Sequence, residues 1–170
     1  MRKRVLILVA AVVLALVLAV PASASKSFPI QGTLEGGFMD GPYFEPRGDR
    51  CFVTSHWSNV VSTGSIQGTS EYDYRTLSKG PCTPGPLVSE SFHTEGMIKD
   101  ATVQGWTGTG TIRYRCQGKF YAQEPAHWEG HCTVTQATDG LAGLHATWDT
   151  NTPVATWVPS YWGEAHFDPQ

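Results

Sequence analysis

Two histidines and a glutamate alternate along one segment of the chain, where they could bind a divalent metal ion. His127, Glu129 and His131 are separated by single residues, so their side chains share one face of a β-strand. Imidazole nitrogens and carboxylate oxygens are common zinc ligands. The same face carries a predicted pair between Glu129 and Lys119, which favours an ordinary polar surface in solvent. We therefore predict no metal site.

A second group of charged side chains shows the same alternation. Glu71, Asp73 and Arg75 share one face of a predicted strand, and Tyr72 and Tyr74 share the other. A carboxylate that faces a closed, apolar interior can act as a general acid or base. Glu71 is therefore the candidate catalytic residue if the charged face points inward. If the tyrosine face points inward, Glu71 belongs to an ordinary solvated surface.

Aromatic residues extend the tyrosine face onto neighbouring predicted strands. They alternate with polar residues, as the side chains of half-buried strands do. The same periodicity is expected around a hollow interior and in a packed core, so both interpretations stay open. No cofactor-binding motif is found, and we predict no cofactor. The predicted ligand-binding residues are Tyr72, Tyr74, Phe92 and Tyr114.

The first 24 residues have the order of a secretory signal peptide. A basic segment at residues 2–4 precedes an apolar run from Val5 to Val20, and Ala22-Ser23-Ala24 is typical of a cleavage site. The run is shorter than the roughly 20 residues of a membrane-spanning helix, although an anchor is the alternative. We expect a secreted domain at residues 25–170 that makes no membrane contact after cleavage.

The composition of residues 25–170 indicates a single all-β domain. Nine basic side chains stand against 15 acidic ones, a formal net charge of −6 that disfavours nucleic acid as a partner. Leucine is scarce, and Thr, Val, Trp and Tyr, which suit a pleated surface, replace it. No stripe of helical period is longer than two turns. We predict one antiparallel barrel of about eight strands, with the oligomeric state left open.

Glycine and proline divide this domain into short predicted elements. Three segments rich in these residues are predicted to be loops: Asp40–Arg50, Lys79–Pro86 and Asp149–Pro153. The predicted strands are Ile30–Phe38, Cys51–Trp57, Ile66–Thr76, Val88–Thr94, a strand at the end of Val103–Gln117, its hairpin partner, Leu144–Asp149 and Thr156–Phe167.

One hairpin can be placed in register from the sequence alone. With its turn at Glu124-Pro125, one face pairs Cys116 with Cys132. A slip of one residue would place aromatic side chains against polar ones. The register predicts a Cys116–Cys132 disulfide, and Cys51–Cys82 follows by elimination among the four cysteines. The other predicted pairs are Tyr114 with Val134, Gly118 with Gly130, Phe120 with Trp128, Lys119 with Glu129 and Gln117 with His131.

Glycine-containing motifs occur in the order Gly68-Thr69, Gly108-Thr109-Gly110 and Gly140-Leu141-Ala142-Gly143-Leu144. This order resembles that of the allene-oxide-cyclase-like barrels, which include bacterial domains of unknown function. The resemblance covers roughly residues 60–167 and is closest at Gly140–Leu144. Four residues depart from glycines that are common in the family: Gln136, Ala137, Asp139 and Ala146. The resemblance implies an eight-stranded barrel with an apolar lumen, in which some members cyclise a flexible substrate. It assigns no catalytic residue to this chain.

Three functions are compatible with these features. The leading hypothesis is a secreted barrel that binds a small apolar molecule in its lumen, because a barrel of about eight strands can hold one small ligand. The second is a cyclase or isomerase in the same lumen, which requires a buried carboxylate such as Glu71. The third is a structural or interaction protein with a filled interior. The side chains that face the lumen distinguish the three.

Overall fold

Nine antiparallel strands and one short 3-10 helix form the described part of the protein. The computed structural model describes residues 26–79, 82–83 and 90–169, so the predicted signal peptide at residues 1–24 lies outside the described residues. The 3-10 helix spans Asp139–Leu141. The strands are β1 (Phe28–Glu35), β2 (Phe38–Arg47), β3 (Arg50–Ser62), β4 (Ile66–Lys79), β5 (Glu90–Val103), β6 (Thr109–Tyr121), β7 (His127–Ala137), β8 (Leu144–Pro153) and β9 (Ser160–Phe167).

The sheet closes into a ring of eight strands. β3 to β9 pair in chain order, β9 pairs with β1, and β1 returns to β3 through Leu34 opposite Ser62 and Glu35 opposite Val61. The ninth strand, β2, continues along the same edge of β3 beyond this closure. The prediction of a single all-β antiparallel domain of about eight strands is confirmed.

The prediction of a loop at Asp40–Arg50 is wrong, because most of this segment forms β2. Within the described residues, β2 pairs only with β3, and the register shifts between Asp40 and Tyr43. Pro42 and Pro46 lack a backbone N–H, which an edge strand tolerates and a central strand does not. The turn-like composition of this segment therefore marks an edge strand with a bulge.

The predicted loop at Asp149–Pro153 is also wrong, because β8 continues to Pro153. Thr150 and Thr152 pair with Gly130 and Trp128 of β7. Pairing with a neighbouring strand outweighs the turn-forming composition of this segment. The connection to β9 is therefore residues 154–159. The predicted loop at Lys79–Pro86 lies mostly outside the described residues, and β4 extends through Lys79.

The predicted hairpin register and both predicted disulfides are confirmed. Cys116 lies opposite Cys132 and forms a disulfide with it on the inner face of the ring. Cys51 and Cys82 form the second disulfide. The remaining pairs of β6 and β7 have the predicted partners, and the polar pairs lie on the outer face.

Register partners on the inner face form rows, here called layers, that follow the hydrogen bonds from β3 to β1 without closing on themselves. In one layer a large side chain stands beside a small one: a Cβ on Gly163 would lie 2.8 Å from Cβ of Trp148. This alternation allows the interior to pack without a void. The layer consists of Ser55, Tyr74, Thr94, Cys116, Cys132, Trp148, Gly163 and Ile30.

The next layer has fewer large side chains. The Phe92 ring covers two glycines, since a Cβ on Gly118 or on Gly130 would lie 2.6 Å from a ring carbon of Phe92. In the same way, a Cβ on Gly32 would meet the ring and hydroxyl of Tyr161. This layer consists of Val53, Thr76, Phe92, Gly118, Gly130, Thr150, Tyr161 and Gly32.

The other end of the ring is held by contacts between loops and side chains. The Trp106 indole N–H donates to the Gly140 carbonyl at 2.9 Å, and the Trp106 ring stacks on Phe167 with 3.7 Å between centroids. The Tyr161 hydroxyl donates to the Thr63 carbonyl at 2.8 Å. We refer to this end, marked by Trp106 and Phe167, as the capped end.

Candidate functional site

The inner face opposite the capped end is lined by aromatic side chains. We call this region the aromatic end and define it by Tyr74, Phe92, Phe120, Trp128 and Trp157. The first four lie on β4, β5, β6 and β7, and Trp157 belongs to the connection between β8 and β9. These residues lie together because β6 and β7 form one hairpin, in which Phe120 and Trp128 are register partners.

The rings of the aromatic end contact one another in pairs. Tyr74 and Phe92 stack with 5.4 Å between centroids. Trp128 contacts Phe120 at 4.8 Å and Trp157 at 4.9 Å, in tilted arrangements. Aromatic pairs at these distances present flat apolar surfaces to a neighbouring molecule or side chain. The inner face of this end is therefore apolar and aromatic.

Side chains beside the aromatic end are smaller and only half-buried. They lie on the same strand faces as the buried layers, but β3, β4 and β8 contribute mainly hydroxyl-bearing or short side chains here. A ligand at this position would thus meet both apolar rings and hydroxyl groups. The half-buried residues are Val53, Ser78, Thr150 and Thr152.

All four predicted ligand-binding residues lie on the inner face, but the structure divides them. Tyr74 and Phe92 meet in the aromatic end. Tyr72 stacks on Trp57 at 6.0 Å, one layer deeper. Tyr114 is 5% exposed, and its hydroxyl lies 3.0 Å from the Ser70 hydroxyl, so it belongs to the core.

Three residues of the aromatic end were not predicted as ligand-binding residues. Phe120 and Trp128 share the face of the Cys116–Cys132 disulfide in the predicted hairpin, so the same register already places them inward. Trp157 follows no strand periodicity, because it lies in a connection. No pattern in the sequence places it beside Trp128.

Two buried polar atoms in this region have no hydrogen-bond partner. Among the residues that the structure describes, they are the only such side-chain atoms: the indole Nε1 of Trp128 and the hydroxyl oxygen of Thr76. Trp128 is 8% exposed and Thr76 is 2% exposed. An indole N–H can only donate, and a buried group left unpaired costs about 1–3 kcal/mol. These atoms are the polar features that a bound molecule could satisfy.

Replacing Thr76 with valine is expected to raise the free energy of unfolding by about 1 kcal/mol, because it removes an unpaired buried hydroxyl. Ser70→Ala is the matched control. The Ser70 hydroxyl bonds to Tyr114, so its loss should lower stability by about 1 kcal/mol. Urea unfolding measures both. A loss of stability in Thr76→Val would show that its hydroxyl has a partner.

Burial keeps the interior phenols protonated. It raises the pKa of Tyr114 to about 12, and it raises the pKa of Tyr72 well above the ordinary value of 10.0. Burial also raises the pKa of Tyr161. At neutral pH these groups are uncharged hydroxyls, which can donate and accept hydrogen bonds and do not act as phenolate bases.

The candidate catalytic carboxylate lies on the outer surface. The tyrosine face of β4 points inward, so Glu71 faces outward and its Oε2 lies 2.6 Å from Lys99 Nζ. Asp73 accepts from His56 Nδ1 at 2.9 Å on the same surface. In the described part of the chain, no carboxylate belongs to the buried polar side chains. The buried polar side chains there are Ser55, Ser62, Ser65, Ser70, Thr76 and Thr94.

The alternating histidines of β7 also lie on the outer surface. His127 Nε2 lies 3.1 Å from Glu129 Oε1, whereas His131 Nδ1 lies 2.8 Å from Asp149 Oδ1 on β8. The two histidines therefore pair with different carboxylates. No group of three metal-binding side chains occurs among residues 26–79, 82–83 and 90–169.

His127 is expected to titrate above the ordinary value of 6.5. Its Nδ1–H donates to the Pro125 carbonyl at 2.6 Å, which is the main cause of the raised pKa, and Glu129 adds to it. Because the folded-state pKa is raised, the contribution to stability is complete below about pH 6.5 and is lost as pH rises through the folded pKa. An NMR titration measures the midpoint.

Glu129→Gln is the control for this titration. It should lower the His127 midpoint only in part, because the Pro125 carbonyl remains. A wild-type midpoint at or below 6.5 would contradict the bond to Pro125.

A groove of about 720 Å³ lies at the capped end and is lined in part by Phe28, Trp106 and Phe167. Two polar groups in its lining already have partners: the Trp106 N–H bonds to Gly140, and Asp168 accepts from His145 at 3.0 Å. The aromatic end differs because its buried polar groups are unpaired. We therefore take the aromatic end as the candidate site.

Comparison with known proteins does not identify a relative. The chain matches no protein-family model, and no curated protein is significantly similar to it. The resemblance to allene-oxide-cyclase-like barrels stays a prediction. Within the described part of the chain, no helix has the length and hydrophobicity needed to cross a bilayer.

Proposed function

We propose that this chain is a binding protein that takes a small apolar molecule at the aromatic end of its ring. The observation that carries the proposal is the pair of buried, unpartnered polar atoms on Thr76 and Trp128, which lie among aromatic side chains. Small-molecule sites are mostly apolar and contain a few polar groups that orient the ligand. The aromatic end has this composition.

A ligand-binding interior explains the unpaired buried polar atoms, and a filled interior does not. A core that serves only stability normally pairs its buried polar atoms. The register partners of Thr76 are Val53, which is half-buried, and Phe92, which is 8% exposed. The unpaired hydroxyl therefore lies beside an aromatic ring and a half-buried aliphatic side chain.

Binding is favoured over cyclisation or isomerisation by the chemistry of the interior. A reaction of that kind, catalysed by a carboxylate, needs an acidic side chain beside the substrate. Glu71, the candidate for that role, is paired with Lys99 on the outer surface. The described interior instead offers hydroxyls and an indole N–H, which suit recognition.

The proposal includes action outside the cytosol. Two disulfides join the four cysteines, and disulfides persist mainly in oxidising compartments. The basic and apolar pattern of residues 1–24 supports export. A cross-linked scaffold also keeps the aromatic end rigid, which lowers the entropic cost of binding.

Titration with indane, a small apolar ring compound, tests the proposal. We expect saturable shifts of the amide signals of Tyr74 and Phe92 in ¹H–¹⁵N spectra. Tyr74→Ala should weaken binding about tenfold, because it removes a ring from the site. Tyr43→Ala is the matched control, since Tyr43 is 58% exposed on the edge strand.

The filled-interior alternative predicts a different result. Indane would then cause no saturable shift, and Tyr74→Ala would lower the free energy of unfolding by several kcal/mol as a core truncation does. Shifts confined to Trp106 and Phe167 would assign binding to the capped end and would contradict the proposal.

A further inference from the structure

We infer that the ligand is uncharged and carries a carbonyl-type acceptor that bonds to the indole N–H of Trp128. This inference rests on the proposed function and specifies its ligand. Ketones, esters and amides belong to this class. Hydrocarbons lack the acceptor, and carboxylates bring a charge.

The identity of the unpaired atoms determines the polar group of the ligand. The Trp128 N–H is buried without an acceptor in the protein. Because an indole N–H only donates, its partner must be an acceptor. The Thr76 hydroxyl is also unpaired and could either donate or accept a hydrogen bond. A carbonyl oxygen, with two lone pairs, is the simplest group that matches the indole donor.

The absence of charge in the surroundings determines the charge of the ligand. Among the described residues, the buried side chains are apolar, hydroxyl-bearing or part of a disulfide, and none carries a charge. A carboxylate moved into these surroundings would lose its hydration without gaining a cation. A neutral carbonyl loses much less, so the interior selects it over an acid.

Trp128 lies one side chain below the surface. Trp157 contacts it at 4.9 Å and is 59% exposed. Trp157 also has a left-handed backbone with φ of 55°, which is unusual for a bulky residue and is common at ligand-binding positions. Displacement of the Trp157 ring would expose the part of Trp128 that it contacts.

Three compounds with one skeleton test the inference: indane, 1-indanone and indane-1-carboxylate. In wild-type protein, 1-indanone should bind about tenfold more tightly than indane, and indane-1-carboxylate should bind most weakly. The Trp128 indole N–H signal should move downfield with 1-indanone alone. Trp128→Phe keeps a ring but removes the donor, so it should abolish the preference for the ketone: indane and 1-indanone should then bind equally tightly.

The outcomes separate the two proposals. Equal binding of indane and 1-indanone, with equal loss in Trp128→Phe, would overturn the inference and leave the proposed function in place. Tighter binding of the carboxylate would overturn the claim of an uncharged ligand. Failure of all three compounds to bind would overturn the proposed function.

A second measurement applies if Trp128→Phe does not fold. The wild-type indole signal still decides whether the N–H bonds to the ketone, and an unmoved signal in the saturated complex would overturn the inference.

Discussion

Replacing Gly130 with alanine is expected to lower the free energy of unfolding by about 2–3 kcal/mol. A Cβ at this position would lie 2.6 Å from Cζ of the Phe92 ring, which is far inside van der Waals contact. Phe92 cannot move away freely, because it is 8% exposed and stacks on Tyr74. Urea unfolding of the single variant measures the loss.

A double-mutant cycle tests the cause of this loss. Phe92→Leu removes the ring carbon that meets the new Cβ, so Gly130→Ala should cost little in that background. A coupling of about 1–2 kcal/mol between the two sites is expected for residues in direct contact. An equal cost of Gly130→Ala in both backgrounds would show that backbone conformation, and not the ring of Phe92, requires glycine here.

Removing the Cys116–Cys132 disulfide is expected to lower the free energy of unfolding by about 3–4 kcal/mol. The two cysteines are 16 residues apart, and closing a loop of this length contributes about 3 kcal/mol in the chain-entropy model. Both side chains are buried in a central layer, so alanine at both positions also leaves a cavity. Chemical denaturation of Cys116→Ala/Cys132→Ala measures the total.

A second variant separates the two contributions. Cys116→Val/Cys132→Ala restores part of the lost volume but not the cross-link. It should recover a fraction of a kcal/mol and remain well below wild type. Full recovery would mean that the disulfide acts only by filling space, and a total loss under 1 kcal/mol would contradict its stabilising role.

The β6–β7 hairpin could be predicted because several independent pairs agree on one register. Cys116 with Cys132, Gly118 with Gly130 and Lys119 with Glu129 all require the same turn, and a shift of one residue breaks every pair. β2 could not be predicted in this way. Its prolines and glycine are typical of turns, and it is a strand because it pairs with β3 across the short turn at residues 48–49.

The candidate site could likewise be predicted only in part. Strand alternation identifies the inner-face residues Tyr74 and Phe92, because the positions that share a face follow from the sequence of each strand alone. Which end of the ring remains half-buried depends on how strands are staggered around the sheet, and this stagger is not encoded in any one segment. Glu71 faces outward because aromatic residues of neighbouring strands pack against the tyrosine face of β4. The sequence of β4 alone does not determine which of its faces is buried.

The closure of the ring has a consequence for the time at which the protein can fold during synthesis. β1 is the first strand of the ring to be made, yet it pairs mainly with β9, the last strand. Its contact with β3 consists of two register pairs. β3 to β8 can form successive hairpins as the chain emerges, but β1 must wait for residues 160–167. Ring closure therefore requires residues 160–167, and until they are available the edges of β2 and β8 are open to other chains.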